Sequence, residues 1–514
     1  MIARPLTVQA LRQQDGEIEV GTETRKVSWE RARLFPISGI GGADEQERRA
    51  TSALLAVVES VREFGRAVTM PLGAPAGRLS AFIEVQFNEG DRRLRPDGAI
   101  RVEYGRRTWT ALVEVKTGRN DLVPDQVESY LELARRHKFD VLLTISNQLV
   151  AAPGEHPVKV PGTRAQLSRW HHVSWSQIRT EALMEQANRS VSDPDQAWIL
   201  AEFIRYLEHP RSGALDFDDM GPSWVHVRER ARTATLHPQD RGVADVTGRF
   251  GRLVSFAAMR LSRELGVPVR PVLAPAQLRD PAKHLQAAVT DLAATGMVHG
   301  ALRVPATVAP IKITADLKAG LVRCAVTVTA PREGRPTTRV NWLVRQLKNG
   351  PGRLCIEASS SWQHGKGPAR TLDQAREDPK TLIGDPAHEL RAFTLSLTSN
   401  AGPARGQGHG SFVNSVLTAV DSFYAEVVQH IKPWAPAPPK VKDDEGTPGI
   451  SSPINNGPGT EPSVDDEDGH REEHAGLTAS RPLPQPPEVK NPLGYAWPYP
   501  ADDRNVVELR RPAG

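Results

Sequence analysis

The sequence is poor in the residues that staple or anchor a chain. Only two cysteines occur among 514 residues, Cys324 and Cys355, so neither a disulfide framework nor a cysteine-built zinc site holds the fold. A reducing, cytoplasmic setting is the simplest expectation. No run approaches the ~20 apolar residues that a spanning helix requires. The opening stretch, MIARPLTVQALRQQDGEIEV, has no continuous apolar core of an export signal. There is no HExxH zinc helix and no GxSxG nucleophile elbow. Membrane transport, secretion on a disulfide scaffold and several hydrolase classes are therefore not expected.

What is present is ordinary in bulk and uneven in place. The chain is 39% hydrophobic and 25% charged, as in soluble proteins, and is long enough for two or three domains. From Lys440 to the end, acidic residues outnumber basic ones 14 to 8, a net of −6, which leaves +10 for the rest. A basic body with an acidic tail suits a polyanionic ligand.

Four regions follow from the patterning. Residues 1–190 mix helix and strand signals. Asp44, with Glu47 three residues on, can cap a helix whose stripe is Leu54, Val57, Val58 and Val61. A strand AFIEVQF (81–87), a hairpin (97–116), a helix (122–137) capped by Asp121, and a buried strand VLLTI (141–145) come next. HHVSWSQI (171–178) reads as a strand running into a turn. Residues 191–297 look helical, with a stripe at Ile199, Leu200, Phe203 and Leu207 and further helices near 245–265 and 280–295. Residues 298–433 alternate with period two in GLVRCAVTVTA, RLCIEAS and ELRAFTLSL, with two amphipathic helices between and after. That order predicts a small two-layer α+β module, with Cys324 in its core. From 434 to 514, proline, glycine and acidic residues dominate, and a disordered tail is expected. RPLPQPP within it has the spacing of a polyproline ligand, although an extended linker explains it as well.

The stretch ALVEVKTGRN (111–120) carries the chemistry. Strand alternation points Glu114 and Lys116 to one face and Val113 and Val115 to the other. Upstream, Gly105-Arg106 suits a two-residue II′ hairpin turn, which sets Val102 opposite Trp109 and Ile100 opposite Ala111. Asp97 then lands across from Glu114, with Cβ atoms about 5 Å apart. Two carboxylates that close repel unless protonated or neutralised. A divalent cation removes the conflict, and hard oxygen ligands with room for water favour Mg2+ or Mn2+. On the downstream helix, Gln126 and Tyr130 lie one turn apart on one face.

The ordered series RPDG, EVK and QxxxY, over roughly residues 44–180, resembles the PD-(D/E)xK nuclease superfamily. The glutamine–tyrosine helix is similar to that of its exonuclease and helicase-associated recombination branch. The resemblance implies an α/β, restriction-endonuclease-like N-terminal domain and metal-dependent hydrolysis of DNA, with RNA left open as a substrate. It implies Asp97 and Glu114 as metal ligands with the Val115 carbonyl, and Lys116 as the group that orients water and stabilises charge on the phosphorane. Gln126 and Tyr130 would position the nucleic-acid backbone, buttress Lys116, or only pack. Family enzymes often add an acid from the first helix; Glu59 is the expected residue and Glu63 the alternate, with Glu84 on the preceding strand a weaker choice. Arg95, Arg101 and Arg119 are candidate phosphate contacts, and Arg339, Arg345 and Lys348 form a basic face in the distal module. SGIGGADE is glycine-rich before a helix, so its amides could bind an anion, but a flexible entry explains it more cheaply. His171 and His172 point to opposite faces and cannot share a metal. A catalytically inactive nuclease-like scaffold is the alternative, and a structural protein built on the distal module is the third.

Overall fold

Strand and helix signals resolve into two sheets, each with its own core. The computed structural model describes residues 33–435 apart from 38, 90–91, 152–154, 163–166, 190, 362–366, 385–387, 407 and 409. The expected tail from 436 onward, with its polyproline stretch, lies outside the described residues. Among those residues, no helix is long and apolar enough to cross a membrane.

The N-terminal half begins with α1 (Ala43–Ser60) and α2 (Arg62–Thr69), then β1 (Arg78–Ile83), β2 (Phe87–Glu89), β3 (Arg92–Leu94), β4 (Gly98–Tyr104) and β5 (Arg107–Val115). Next come α3 (Pro124–Arg136), β6 (Val141–Ser146), β7 (Trp170–Ser174), α4 (Trp175–Met184) and α5 (Pro194–Leu207). The sheet is mixed and five-stranded, in the order β1-β4-β5-β6-β7. β1, β4 and β5 pair antiparallel, whereas β5, β6 and β7 run parallel. Gly105 takes φ 58 while Arg106 is not among the positive-φ residues, as a II′ turn demands. The register is accordingly Val102 with Trp109 and Ile100 with Ala111.

All of β6 is buried, because a parallel strand is covered on both faces. On one face Ala111, Val113, Val115, Leu143 and Ile145 pack against Leu54, Val57 and Val58 of α1 and Phe203 of α5. On the other, Leu112, Leu142 and Trp170 pack against Val127, Tyr130 and Leu133 of α3.

Several local expectations give way here. Helix α1 starts at Ala43 behind Gly42 with no side-chain cap, so Asp44 lies in the first turn and Glu47 is free for another partner. Asp121 does not cap α3, which begins with Pro124 after an extended Val123. AFIEVQF is interrupted at Glu84, whose φ of 54 breaks the strand. β7 leads into helix α4 rather than a turn, because Ser174 and Gln177 form a capping box.

The C-terminal half contains α6 (Trp224–Arg232), α7 (Val243–Leu265), β8 (Arg270–Pro271), α8 (Pro275–Arg279), α9 (Pro281–Thr295), β9 (Met297–Arg303), β10 (Ile311–Asp316) and β11 (Leu321–Thr329). It ends with α10 (Pro336–Gln346), β12 (Cys355–Ser360), β13 (Ala369–Thr371), α11 (Leu372–Glu377), β14 (Leu390–Asn400) and α12 (Phe412–Glu426). Its seven strands are ordered β13-β12-β14-β11-β10-β9-β8, and every pairing is antiparallel. In β11 the alternate residues Val322, Cys324, Val326 and Val328 are buried and those between them only partly so, the signature of a sheet covered mainly on one side. Cys324 sits in this core, where burial pushes its thiol up to about 12.

The stretch 191–297, expected as one helical region, is divided between the two cores. Leu200, Phe203 and Leu207 pack with the first sheet, and Trp224, Phe250 and Leu253 with the second. The sheet strands β8 and β9 also begin inside or at the edge of that stretch. Polar contacts join the halves; Arg263 of α7 donates to Thr180 Oγ1 at 2.8 Å and to the Ser176 carbonyl at 2.9 Å.

Candidate active site

The candidate site lies where β5 ends. β5 delivers Glu114 on the same face as Leu112, under α3, and the chain then leaves the sheet at Lys116. Thr117 and Gly118 form a corner, with Gly118 at φ 61. A second segment clamps that corner. Gly118 N–H donates to the Gly213 carbonyl at 2.9 Å, and Asn147 Nδ2 donates to the carbonyls of Gly118 and Gly213 at 2.9 and 2.7 Å. Trp175 Nε1 donates to the Lys116 carbonyl at 2.8 Å. The backbone bearing the lysine is thus held from three elements.

The side chains then assemble without slack. Lys116 Nζ lies 2.7 Å from Glu114 Oε1 and 2.9 Å from Glu47 Oε1, bridging the two acids. Asp97 Oδ2 accepts the Val115 amide at 2.7 Å, taking the place of a strand carbonyl just where β4 stops pairing with β5. It is the Val115 N–H that meets Asp97 here. Asp97 and Glu114 lie close enough for each carboxyl to shift the other's titration.

Glu114 is 1% exposed, and neither of its oxygens has a hydrogen-bond donor of regular geometry among the described residues. Burial, and then the neighbouring Asp97 charge, push its carboxyl up to about 8, against the pull of Lys116. Burial also raises Asp97 and Glu47, with the Val115 amide and Lys116 opposing it at Asp97 and Lys116 opposing it at Glu47. For Lys116 burial acts downward, but Glu114 and Glu47 outweigh it and hold the ammonium above its ordinary value. The cluster thus favours the protonated form of Glu114 and the charged form of Lys116.

Gln126 and Tyr130 act on the loop that carries Asp97. Tyr130 Oη donates to the Arg95 carbonyl at 3.1 Å, and Gln126 Nε2 donates to Tyr130 Oη at 3.4 Å. Burial, then the Glu114 carboxylate, pushes the phenol up to about 12, so it remains a donor. Tyr130→Phe is expected to cost about 1 kcal/mol of stability, read from urea unfolding. It should also lower any cleavage by about tenfold or less, by loosening Arg95–Asp97. Unchanged stability would remove this positioning role.

The first-helix acid at the site is Glu47. Glu59 is elsewhere: its carboxylate accepts the Ala81 amide at 3.0 Å, and the 12 residues separating it from Glu47 span about 18 Å of helix. Glu63 accepts from Ser192 Oγ at 3.1 Å, and Glu84 pairs with Arg95 at 2.7 Å. Arg101 lies 3.5 Å from Glu103. Arg119 is exposed and makes no ion pair among the described residues. Arg339 is mostly buried, donating to the carbonyls of Gly334, Leu390 and Arg332, and so braces the distal module. The signal for Glu47 was present in the sequence, one turn before the buried face of α1, but a capping role accounted for it locally.

Two carboxylates and a backbone segment suit a cation that keeps much of its water, as Mg2+ does. The buried Glu114 oxygens, without a regular hydrogen bond among the described residues, fit such an ion, which would offset the crowding of two carboxyl groups. Among the described residues, however, no group of three or more His, Cys, Asp or Glu side chains is placed to hold a metal. Glu47 reaches the cluster through Lys116, 2.9 Å from its Nζ. Comparison of the chain with protein-family models, with curated proteins and with solved structures gave no match.

Proposed function

We propose that the first sheet carries a metal-dependent nuclease site of the PD-(D/E)xK type, on a restriction-endonuclease-like arrangement, acting on DNA. The observation that carries this reading is the meeting of Asp97, Glu114 and Lys116 where β5 ends, Asp97 on the Val115 amide and Lys116 against a buried Glu114. Asp97 and Glu114 would hold Mg2+ or Mn2+, with the Val115 carbonyl as the backbone ligand that the resemblance implies. When bound, the ion supplies Lewis acidity toward a phosphodiester and lowers the pKa of water. Lys116, held as an ammonium, stabilises negative charge on the phosphate rather than taking a proton. Glu47 keeps Lys116 in place when Glu114 turns to the ion. Tyr130 and Gln126 position the Asp97 loop. DNA as the partner also fits the basic body of the chain.

A second reading has one specific observation in its favour. Each member of the cluster has an internal partner: Asp97 caps an amide, and Lys116 bridges Glu47 and Glu114. Such a network can serve as a structural end-piece for β5, leaving a nuclease-like scaffold that binds without cutting.

The experiment incubates purified full-length protein with linear and circular DNA and with RNA, in Mg2+, Mn2+ or a chelator, beside Asp97→Asn. Metal-dependent loss of nucleic acid with the unaltered protein alone supports the nuclease, and the substrate cleaved identifies DNA or RNA. Binding by both proteins with no cleavage by either supports the scaffold and ends the enzymatic reading.

A further inference from the structure

Between residues 155–160, Leu167 and Trp170 on one side and α7 (Val243–Leu265), α9 (Pro281–Thr295) and β9 (Met297–Arg303) on the other lies a cavity of about 1200 Å3. It exceeds the roughly 300–1,000 Å3 of most small-molecule sites. Its walls are largely apolar, with Trp170, Val272, Leu285 and Val298 among them.

Two features of α7 set the chemistry. Gly248 and Arg252 both line the cavity, and at i, i+4 they occupy one helix face. A Cβ at Gly248 would meet only Leu285 Cδ1, at 3.9 Å, so packing does not require glycine there. Glycine within a helix costs about 0.5–1 kcal/mol relative to alanine, and what it secures at this position is open space.

Arg252 is the second feature. It makes no hydrogen bond or ion pair with any described residue. The acids that act on it have other partners: Asp245 pairs with Arg249 at 3.0 Å, and Glu155, which also lines the cavity, accepts the Ala151 amide at 3.0 Å. Burial, and then the Arg249 charge, pull the Arg252 guanidinium below its ordinary value, with Asp245, Glu155 and Asp121 acting only at a distance against them. Partly buried, Arg252 lines the cavity with N–H donors that no described protein acceptor occupies. A carboxylate or phosphate satisfies them two at a time.

We propose that this cavity binds an organic anion, whose carboxylate or phosphate group meets Arg252 and whose apolar body fills the space beside Gly248. The inference is independent of the nuclease reading. It is tested on the full chain with 8-anilinonaphthalene-1-sulfonate as a fluorescent reporter and three competitors: dodecanoate, dodecyl phosphate and dodecanol, all kept below micelle formation.

One saturable reporter site is expected, displaced by either anion and about tenfold less well by the alcohol. The better anion distinguishes a carboxylate from a phosphate source. Arg252→Met, which keeps length without charge, and Gly248→Leu, which fills the space and raises helix propensity, should each weaken binding about tenfold with folding intact by circular dichroism. Lys116→Ala should bind as the unaltered protein does. Equal displacement by dodecanol, or unchanged binding in either α7 variant, would overturn the proposal.

Discussion

Lys116→Ala is expected to reduce metal-dependent DNA cleavage by about 10²–10³-fold, the usual cost of removing one charge-stabilising donor from a reacting centre. The loss should fall on kcat more than on KM, because the ammonium is buried against Glu114 and Glu47 and is poorly placed for ground-state DNA binding. The fold should survive the change. A buried ion pair that loses one partner ordinarily destabilises by several kcal/mol, but Glu114 can keep its proton to about pH 8 and so has a neutral state available. Circular dichroism and a Tm within several degrees of the unaltered protein at pH 7 should accompany the loss. Lys116→Ala that retains more than about a tenth of the activity would place the chemistry elsewhere.

How much of this was legible in the sequence depends on the distance over which each feature is decided. The β4–β5 register was readable because a two-residue turn containing Gly105 fixes it locally. The α1 stripe was readable because helical spacing repeats within the element. The same locality misled at Glu47. A capping box was a sufficient local account, and the partner that overrides it, Lys116, lies 69 residues downstream. Helix α4 was missed although its capping box, Ser174 to Gln177, is written in SWSQ, because the preceding strand pattern suggested a turn. The Asn147 clamp between Gly118 and Gly213 joins three segments that no periodicity connects. Asp97 and Glu114 met because one hairpin carries both; Glu59 was favoured by its place beside the stripe, which does not reveal which end of a helix faces the strand termini.

The metal affinity of the site should depend steeply on pH. Burial and the Asp97 charge push the Glu114 carboxyl up to about 8, and a cation can use both acids only after that proton leaves. Below about pH 8, apparent affinity for Mg2+ or Mn2+ should therefore fall about tenfold per pH unit, roughly a hundredfold between pH 8 and pH 6. Stability without metal runs the opposite way, falling as the pH rises. The folded pKa of Glu114 lies above its ordinary 4.5, so its contribution is fully present below about 4.5 and is lost as the pH rises through about 8. The raised Asp97 and Glu47 carboxyls act in the same direction. Added Mg2+ should offset that loss, giving a larger Tm increase at pH 8 than at pH 6. Glu114→Gln should flatten both dependences, since the amide has no proton to release. Calorimetric titration of Mn2+ at pH 6, 7 and 8, in two buffers of different ionisation enthalpy, measures the affinity and the protons released together. An affinity constant across that range, with no proton release, would mean that Glu114 is already ionised or is not a ligand, and the two-acid metal site would have to be abandoned.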